Sequence, residues 1–149
     1  MRKFSKRAFR SWLDALAAFV VKERDQRTCQ KCGLVMMPFD ENCQWAHIKS
    51  RTENAWRWDI LNALTLCGHC HQWAHANPAQ WGVWLHEHRP ALYVHIYEGE
   101  PRPSRPWKQW DYLQIEVGLL EKCRDLETDP LHMTTWHNYQ SRLIKKLAS

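Results

Sequence analysis

Cys67-Gly68-His69-Cys70-His71-Gln72-Trp73-Ala74-His75, taken with Cys29-Gln30-Lys31-Cys32 upstream, decides how this chain is read. A Cys-x-x-Cys pair lets two thiolates bite one tetrahedral ion, and two such pairs supply all four ligands of a zinc site. Thirty-four residues lie between the pairs, more than a simple ribbon needs. A supersecondary unit is therefore expected between the knuckles, with zinc closing its base. Four buried or redox thiols are the competing reading, and it leaves the paired spacing unexplained. Cys43 and Cys123 fall outside the frame and read as small buried hydrophobes. His71 and His75 stand at i and i+4, so on a helix both imidazoles share one face and can hold a second metal. A solvated pair is the plain alternative.

Outward from this core, length and charge set bounds. At 149 residues the chain is one ordinary domain, which excludes two large ones. Lys plus Arg (21) exceeds Asp plus Glu (16) by five, and the first ten residues, MRKFSKRAFR, hold five basic groups and no acid. The remainder is neutral overall, so nucleic-acid binding does not follow from bulk charge. The leader residues Arg2, Lys3, Lys6, Arg7 and Arg10 form a basic arm that can meet phosphate, or a solvated, frayed terminus. WLDALAAFVV (12–21) mimics a secretory leader, but Asp14 interrupts it and no small-residue cleavage site follows. No run reaches the roughly 20 apolar residues of a membrane span. A reducing, cytoplasmic location is expected, in which cysteines serve as metal ligands or thiols more readily than as disulfides.

Periodicity lays out the elements. Phe9, Trp12, Leu13, Leu16, Phe19 and Val20 recur at helical spacing between Ser5 and Arg27. Residues 28–76 exchange that period for cysteine pairs, short apolar runs and many His and Trp. Asn77-Pro78 reads as an N-cap and first helical residue, followed by Trp81, Trp84 and Leu85 on one face until Arg89-Pro90. The next run, ALYVHIYEG, fits a strand by alternation and a helix by the preceding proline; helix is the expectation. Gly99 and three prolines make 98–106 an extended, slightly basic connection. Trp110, Leu113, Val117 and Leu120 mark a helix to about Leu126, and Asp129-Pro130 opens a last one with Met133, Trp136, Leu143 and Leu147 on its apolar side. The expected fold is α+β, mostly α, in a single domain 1–149: an N-terminal helix (5–27), a small zinc-stapled unit (28–76), then a helical region (77–149). His47, after a β-prone run, belongs on a strand.

In order, Cys29-Gln30-Lys31-Cys32, Ala46-His47-Ile48, Asn62-Ala63-Leu64-Thr65-Leu66-Cys67 and Cys67-Gly68-His69-Cys70-His71 with His75 resemble the HNH endonuclease family. The resemblance covers about residues 28–76. It implies a ββα-metal fold, with strands carrying His47 and Asn62 and a helix carrying His71 and His75. It further implies catalytic roles for His47, Asn62 and His71. His47 would be the general base toward the attacking water. His71 and His75 would hold a catalytic divalent ion (Mg²⁺, Mn²⁺, Ni²⁺ or Zn²⁺) against the scissile phosphate. Asn62 would brace the loop between the strands or reach the metal, and the four cysteines would hold structural zinc. An imidazole with a pKa of about 6.5 is a competent base at neutral pH.

The chain departs from the pattern at Ala46, where many members carry a further metal-binding Asp or His. Weak metal binding is expected, with water, Asn62 or an acid such as Asp59 completing the shell. FVVKERDQRTCQKCG before the first knuckle, Trp45 to Ser50, and Arg57-Trp58-Asp59 ahead of Asn62 are similar to the NinG group of phage recombination proteins, which act on branched DNA. These 149 residues do not include the cysteine-bearing N-terminal extension expected of that group. Most of the ten tryptophans read as core, with one or two near Lys49, Arg51 or Arg57 free to stack on DNA, and these three cations join the leader residues as candidate contacts to DNA phosphate. A metal-dependent DNA endonuclease is the favoured reading, and a homodimer would serve it if both strands are cut. A non-catalytic zinc-bearing DNA-binding module and a zinc-folded interaction scaffold are the alternatives.

Overall fold

The computed structural model describes residues 5–127. Its elements are α1 (Lys6–Arg24), β1 (Gln44–His47), α2 (Asn54–Arg57), β2 (Ala63–Leu66), α3 (Gly68–Ala76), α4 (Pro78–His88), α5 (Pro90–Tyr93) and α6 (Gln109–Glu127). The chain is thus α+β and mostly helical, with a small two-stranded sheet and a four-cysteine cluster. No helix among the described residues is long and apolar enough to cross a membrane.

α1 begins where Ser5 Oγ accepts the Ala8 amide at 3.2 Å. It buries Leu13, Leu16, Ala17, Phe19, Val20 and Val21. Leu13 and Leu16 are both 0 % exposed, and burial of such a side chain contributes about 1.5–3 kcal/mol. The helix stops three residues short of the expected Arg27, because Gln26 and Arg27 take left-handed backbone (φ 52° and 51°). Arg27 then turns back to hold the buried Glu23 carboxylate at 2.6 Å. At the same end Arg24 donates to the carbonyls of Ile60 (2.7 Å) and Ala63 (2.9 Å), while Asp25 Oδ2 accepts the Thr65 amide at 2.8 Å.

β1 and β2 pair antiparallel, with Gln44 opposite Leu66 and His47 opposite Ala63. Successive strand residues face opposite sides, so the sheet serves two hydrophobic clusters. Ala46 joins Leu64, Leu66, Cys67, Cys70, Ala74, Trp81 and Leu85 on the side of α3 and α4, whereas Trp45 packs against the α1 and α6 cluster. Asn62 is not a strand residue, as the resemblance implied. It closes a 3₁₀ turn, Ile60–Asn62, just before β2.

α4 starts at Pro78 as expected, but Asn77 caps nothing there; its amide donates back to Trp73 O at 3.0 Å. The 90–98 run is helical, with α5 passing into one π turn, Val94–Glu98. The proline-rich connection is fastened by Arg102, which donates to Ala55 O at 2.8 Å and Asp59 Oδ2 at 2.5 Å and lies 3.8 Å from the Trp56 ring centre.

α6 forms where expected but buries a different face. Tyr112, Leu119 and Cys123 are buried, while Trp110 and Val117 are 67 % and 56 % exposed. The reason is a partner outside the helix: Tyr112 lodges against Trp58 and Trp107, and Glu116 accepts the Trp12 indole N–H at 2.8 Å, fixing the turn of α6 on α1. The helix expected from Asp129, with Met133, Trp136, Leu143 and Leu147, lies outside the described residues, as do Arg2 and Lys3.

Candidate functional site

The four cysteines of the two knuckles meet. Cys29 follows the left-handed turn at Gln26 and Arg27, and Gly33 at φ 80° returns the chain so that its amide bonds Cys29 O at 2.8 Å. Cys67 occupies the N-cap of α3 and accepts the Cys70 amide on Sγ at 3.5 Å. All four sulfurs lie within 4.8 Å of one another, and Cys32 and Cys67 are 3.8 Å apart. A tetrahedron with zinc–sulfur arms of 2.3 Å has edges of about 3.8 Å, so the donor set fits. Burial pushes the Cys29 thiol up, but backbone hydrogen bonds from Cys32, Cys67 and Lys31 outweigh it and bring the thiol down to about 7. Cys70 is pushed up, by burial first and then by its three thiol neighbours. Four thiolates at this spacing need a cation between them, and the cluster can hold a metal ion such as zinc. Cys43 and Cys123 are buried in the two separate cores, as expected.

Beside this cluster is a cleft of about 620 Å³ whose lining includes Trp45, His47, Arg51, His71, His75 and Tyr97. α3 delivers His71 and His75 one turn apart, with their Nε2 atoms 3.0 Å from each other. His71 Nδ1 donates to Gln44 Oε1 at 2.7 Å. An amide oxygen only accepts, so this bond holds the proton on Nδ1 and turns the His71 Nε2 lone pair toward His75. Two imidazole nitrogens 3.0 Å apart and each about 2.0–2.1 Å from a common ion would subtend about 94° there, an angle suited to adjacent positions of an octahedron. Burial, with smaller contributions from His75 and His47, holds His71 below the ordinary imidazole range and favours its neutral, ligating form.

His47 stands at the end of β1 with its ring 4.1 Å from that of Trp45. Its Nε2 bonds the Arg57 carbonyl at 2.9 Å. A carbonyl cannot donate, so Nε2 carries the proton and Nδ1 keeps its lone pair. Burial is the main cause holding His47 below the usual imidazole value, so the ring is neutral at pH 7. The end of α2, which presents Arg57 O, is braced by Asn62, which is 0 % exposed. Asn62 Oδ1 accepts the Lys49 amide at 2.8 Å, and its Nδ2 donates to Lys49 O and Trp56 O, both at 3.0 Å. These bonds occupy its amide within the fold, and Asn62 does not line the cleft.

Ala46 lines the cleft but carries only a methyl, packed among Cys70 and Ala74, so it offers the histidine pair no donor. Asp59 does not complete the shell. Its Oδ1 accepts the Leu61 amide at 2.9 Å, and its Oδ2 meets His95 at 2.8 Å and Arg102 at 2.5 Å. Burial pushes the Asp59 carboxyl up, but the bonds from His95, Leu61 and Arg102 outweigh it and hold it below the usual carboxylate range.

Of the cations expected to meet phosphate, Arg51 reaches the cleft. Lys49 lies 4.2 Å from the Trp56 ring centre. Lys6, Arg7, Arg10 and Arg57 line a second groove of about 490 Å³ with Asp14. Arg10 there bonds Asn54 Oδ1 at 3.2 Å, and Arg57 is paired with Asp14 at 2.6 Å. Two residues that sequence reading missed are Gln44, which orients His71, and Asp14, which fastens Arg57. Neither lies in a local spacing that announces its partner, 27 and 43 residues away. Compared with family models, curated proteins and solved structures, the chain has no match.

Proposed function

We propose that the protein is a metal-dependent DNA endonuclease of the HNH type, hydrolysing phosphodiester bonds in the cleft between β1 and α3. The observation that carries this reading is the convergence in one cleft of a neutral imidazole with a free Nδ1, at His47, and a pair of Nε2 atoms 3.0 Å apart, at His71 and His75. A structural zinc needs only the four cysteines, so the histidines call for a separate role.

The residues would divide the work as follows. His71 and His75 hold a divalent ion, which when bound supplies Lewis-acid stabilisation of negative charge on the phosphate and the leaving 3′ oxygen. His47 accepts at Nδ1 the proton of the water whose oxygen attacks phosphorus as the bond to the 3′ oxygen breaks. The imidazolium so formed keeps its Nε2–H bond to Arg57 O. Arg51, which lines the same cleft, would meet a phosphate oxygen. The cysteine site holds the knuckles and fixes the start of α3, and so the direction of His71.

Branched recombination DNA is the substrate that the narrower phage resemblance implies, and cutting both strands with one cleft per chain would call for a homodimer. The missing donor at Ala46 specifically favours a second reading, a zinc-bearing module that binds DNA without cutting it. A cleavage panel of linear, nicked, single-stranded and four-way DNA with Mg²⁺, Mn²⁺, Ni²⁺ or Zn²⁺ tests the first reading. The parent should cut at least one substrate, and His47→Ala should bind DNA and zinc as before while cutting at least about a hundredfold more slowly. Equal cutting by that variant overturns the role of His47. Salt-dependent binding without cutting under any ion establishes the second reading.

A further inference from the structure

We propose, resting on the nuclease reading above, that Asp14 of α1 is a positioning residue for His47, acting through the peptide between Arg57 and Trp58. The carbonyl that accepts the His47 Nε2–H belongs to that peptide unit. Asp14 grips the side chains on both sides of it. Its Oδ2 accepts Arg57 Nη2 at 2.6 Å, and its Oδ1 accepts Arg57 Nε at 2.8 Å and the Trp58 indole N–H at 2.8 Å.

Anchoring both flanks restrains the peptide plane against rotation, and the carbonyl direction with it. The anchor itself is rigid: Asp14 follows Leu13, which is 0 % exposed in the α1 core, and Trp58 is 3 % exposed. A surface ion pair would need only the Arg57 fork. The third bond, from the buried Trp58, joins the carboxylate to the residue that caps α2. This also accounts for an acid inside the apolar run 12–21, where it breaks the hydrophobic pattern.

Asp14 does not line the cleft, although its charge also reaches His47 and favours the protonated ring, so its removal should alter His47 without altering substrate contacts. The test uses the full chain with its metals and reads His47 directly. In ¹⁵N NMR spectra, with His47 assigned by the signal lost in His47→Ala, the parent should show one neutral tautomer protonated at Nε2. Asp14→Asn and Asp14→Ala should move that pattern toward the averaged one of an unrestrained imidazole. In steady-state cleavage Asp14→Asn should lower kcat about tenfold with KM unchanged. The double variant Asp14→Asn/His47→Ala should be no slower than His47→Ala alone.

An unchanged His47 tautomer pattern in Asp14→Asn, or a further loss in the double variant, overturns the proposal. If the parent cuts no DNA with any ion, the nuclease reading falls, and the NMR pattern alone decides whether Asp14 positions His47. Should Asp14→Ala fail to fold, Trp58→Phe, which removes one of the three bonds and keeps the ion pair, should give an intermediate shift.

Discussion

Replacing Asn62 by alanine separates its two candidate roles, loop brace and metal ligand. The side chain makes three hydrogen bonds, from the Lys49 amide and to the carbonyls of Lys49 and Trp56, at 2.8, 3.0 and 3.0 Å. Each contributes about 1 kcal/mol net. Trp56 O keeps a second donor in the Asp59 amide at 3.2 Å, whereas both Lys49 backbone groups lose the partner that Asn62 gave them. The expected loss is therefore about 3 kcal/mol, which for a chain of this size lowers Tm by about 6–12 °C. The assay is thermal unfolding at saturating zinc, with metal content measured on the same samples. Metal content should stay constant, because Asn62 is fully buried and does not line the cleft. Asn62→Asp should cost at least as much, since it keeps the acceptor but sets carboxylate oxygen against two carbonyls. A Tm within about 2 °C of the parent would refute the brace. Full stability with one ion lost would make Asn62 a ligand.

Two further outcomes follow from the cleft. Gln44→Ala should weaken binding of Mn²⁺ or Ni²⁺ to the His71 and His75 pair by about 10–100-fold, the usual cost of removing the partner that orients a ligating imidazole. Titration calorimetry on zinc-loaded protein would read this, and unchanged affinity would remove Gln44 from the site. For pH, burial holds His47 below its ordinary value, so the base stays neutral further into acid. The acidic limb of the kcat/KM profile should have its inflection below about pH 6.5, and an inflection above that value contradicts the burial argument.

The parts of the fold legible in sequence are those set by short-range chemistry. Cys-x-x-Cys spacing, the i and i+4 histidines and the proline at the start of α4 each act within one turn, and each stands where its spacing implied. What could not be read depends on a partner brought from far along the chain. α6 carries two apolar stripes, and its helical period fits both; Trp12 and Trp58, from other elements, select the stripe with Tyr112 and Leu119. Asp59 reads as a spare acid until His95 and Arg102 arrive from the connection after α5. Arg57 reads as a free cation until Asp14 occupies it. The candidate site was therefore half visible: the His71 and His75 pair by spacing, the residues that orient them only in three dimensions.

The end of α1 has a further consequence for how copies of this protein can meet. A sheet of two strands exposes two flanks of backbone, each a template for an incoming strand. On the β2 flank the Thr65 amide is taken by Asp25, the Thr65 carbonyl accepts the Gln30 amide at 2.9 Å, and the Ala63 carbonyl is taken by Arg24. Strand addition there would have to displace side chains and backbone already seated. A dimer built by extending this sheet across β2 is closed off, and so is the corresponding route to aggregation.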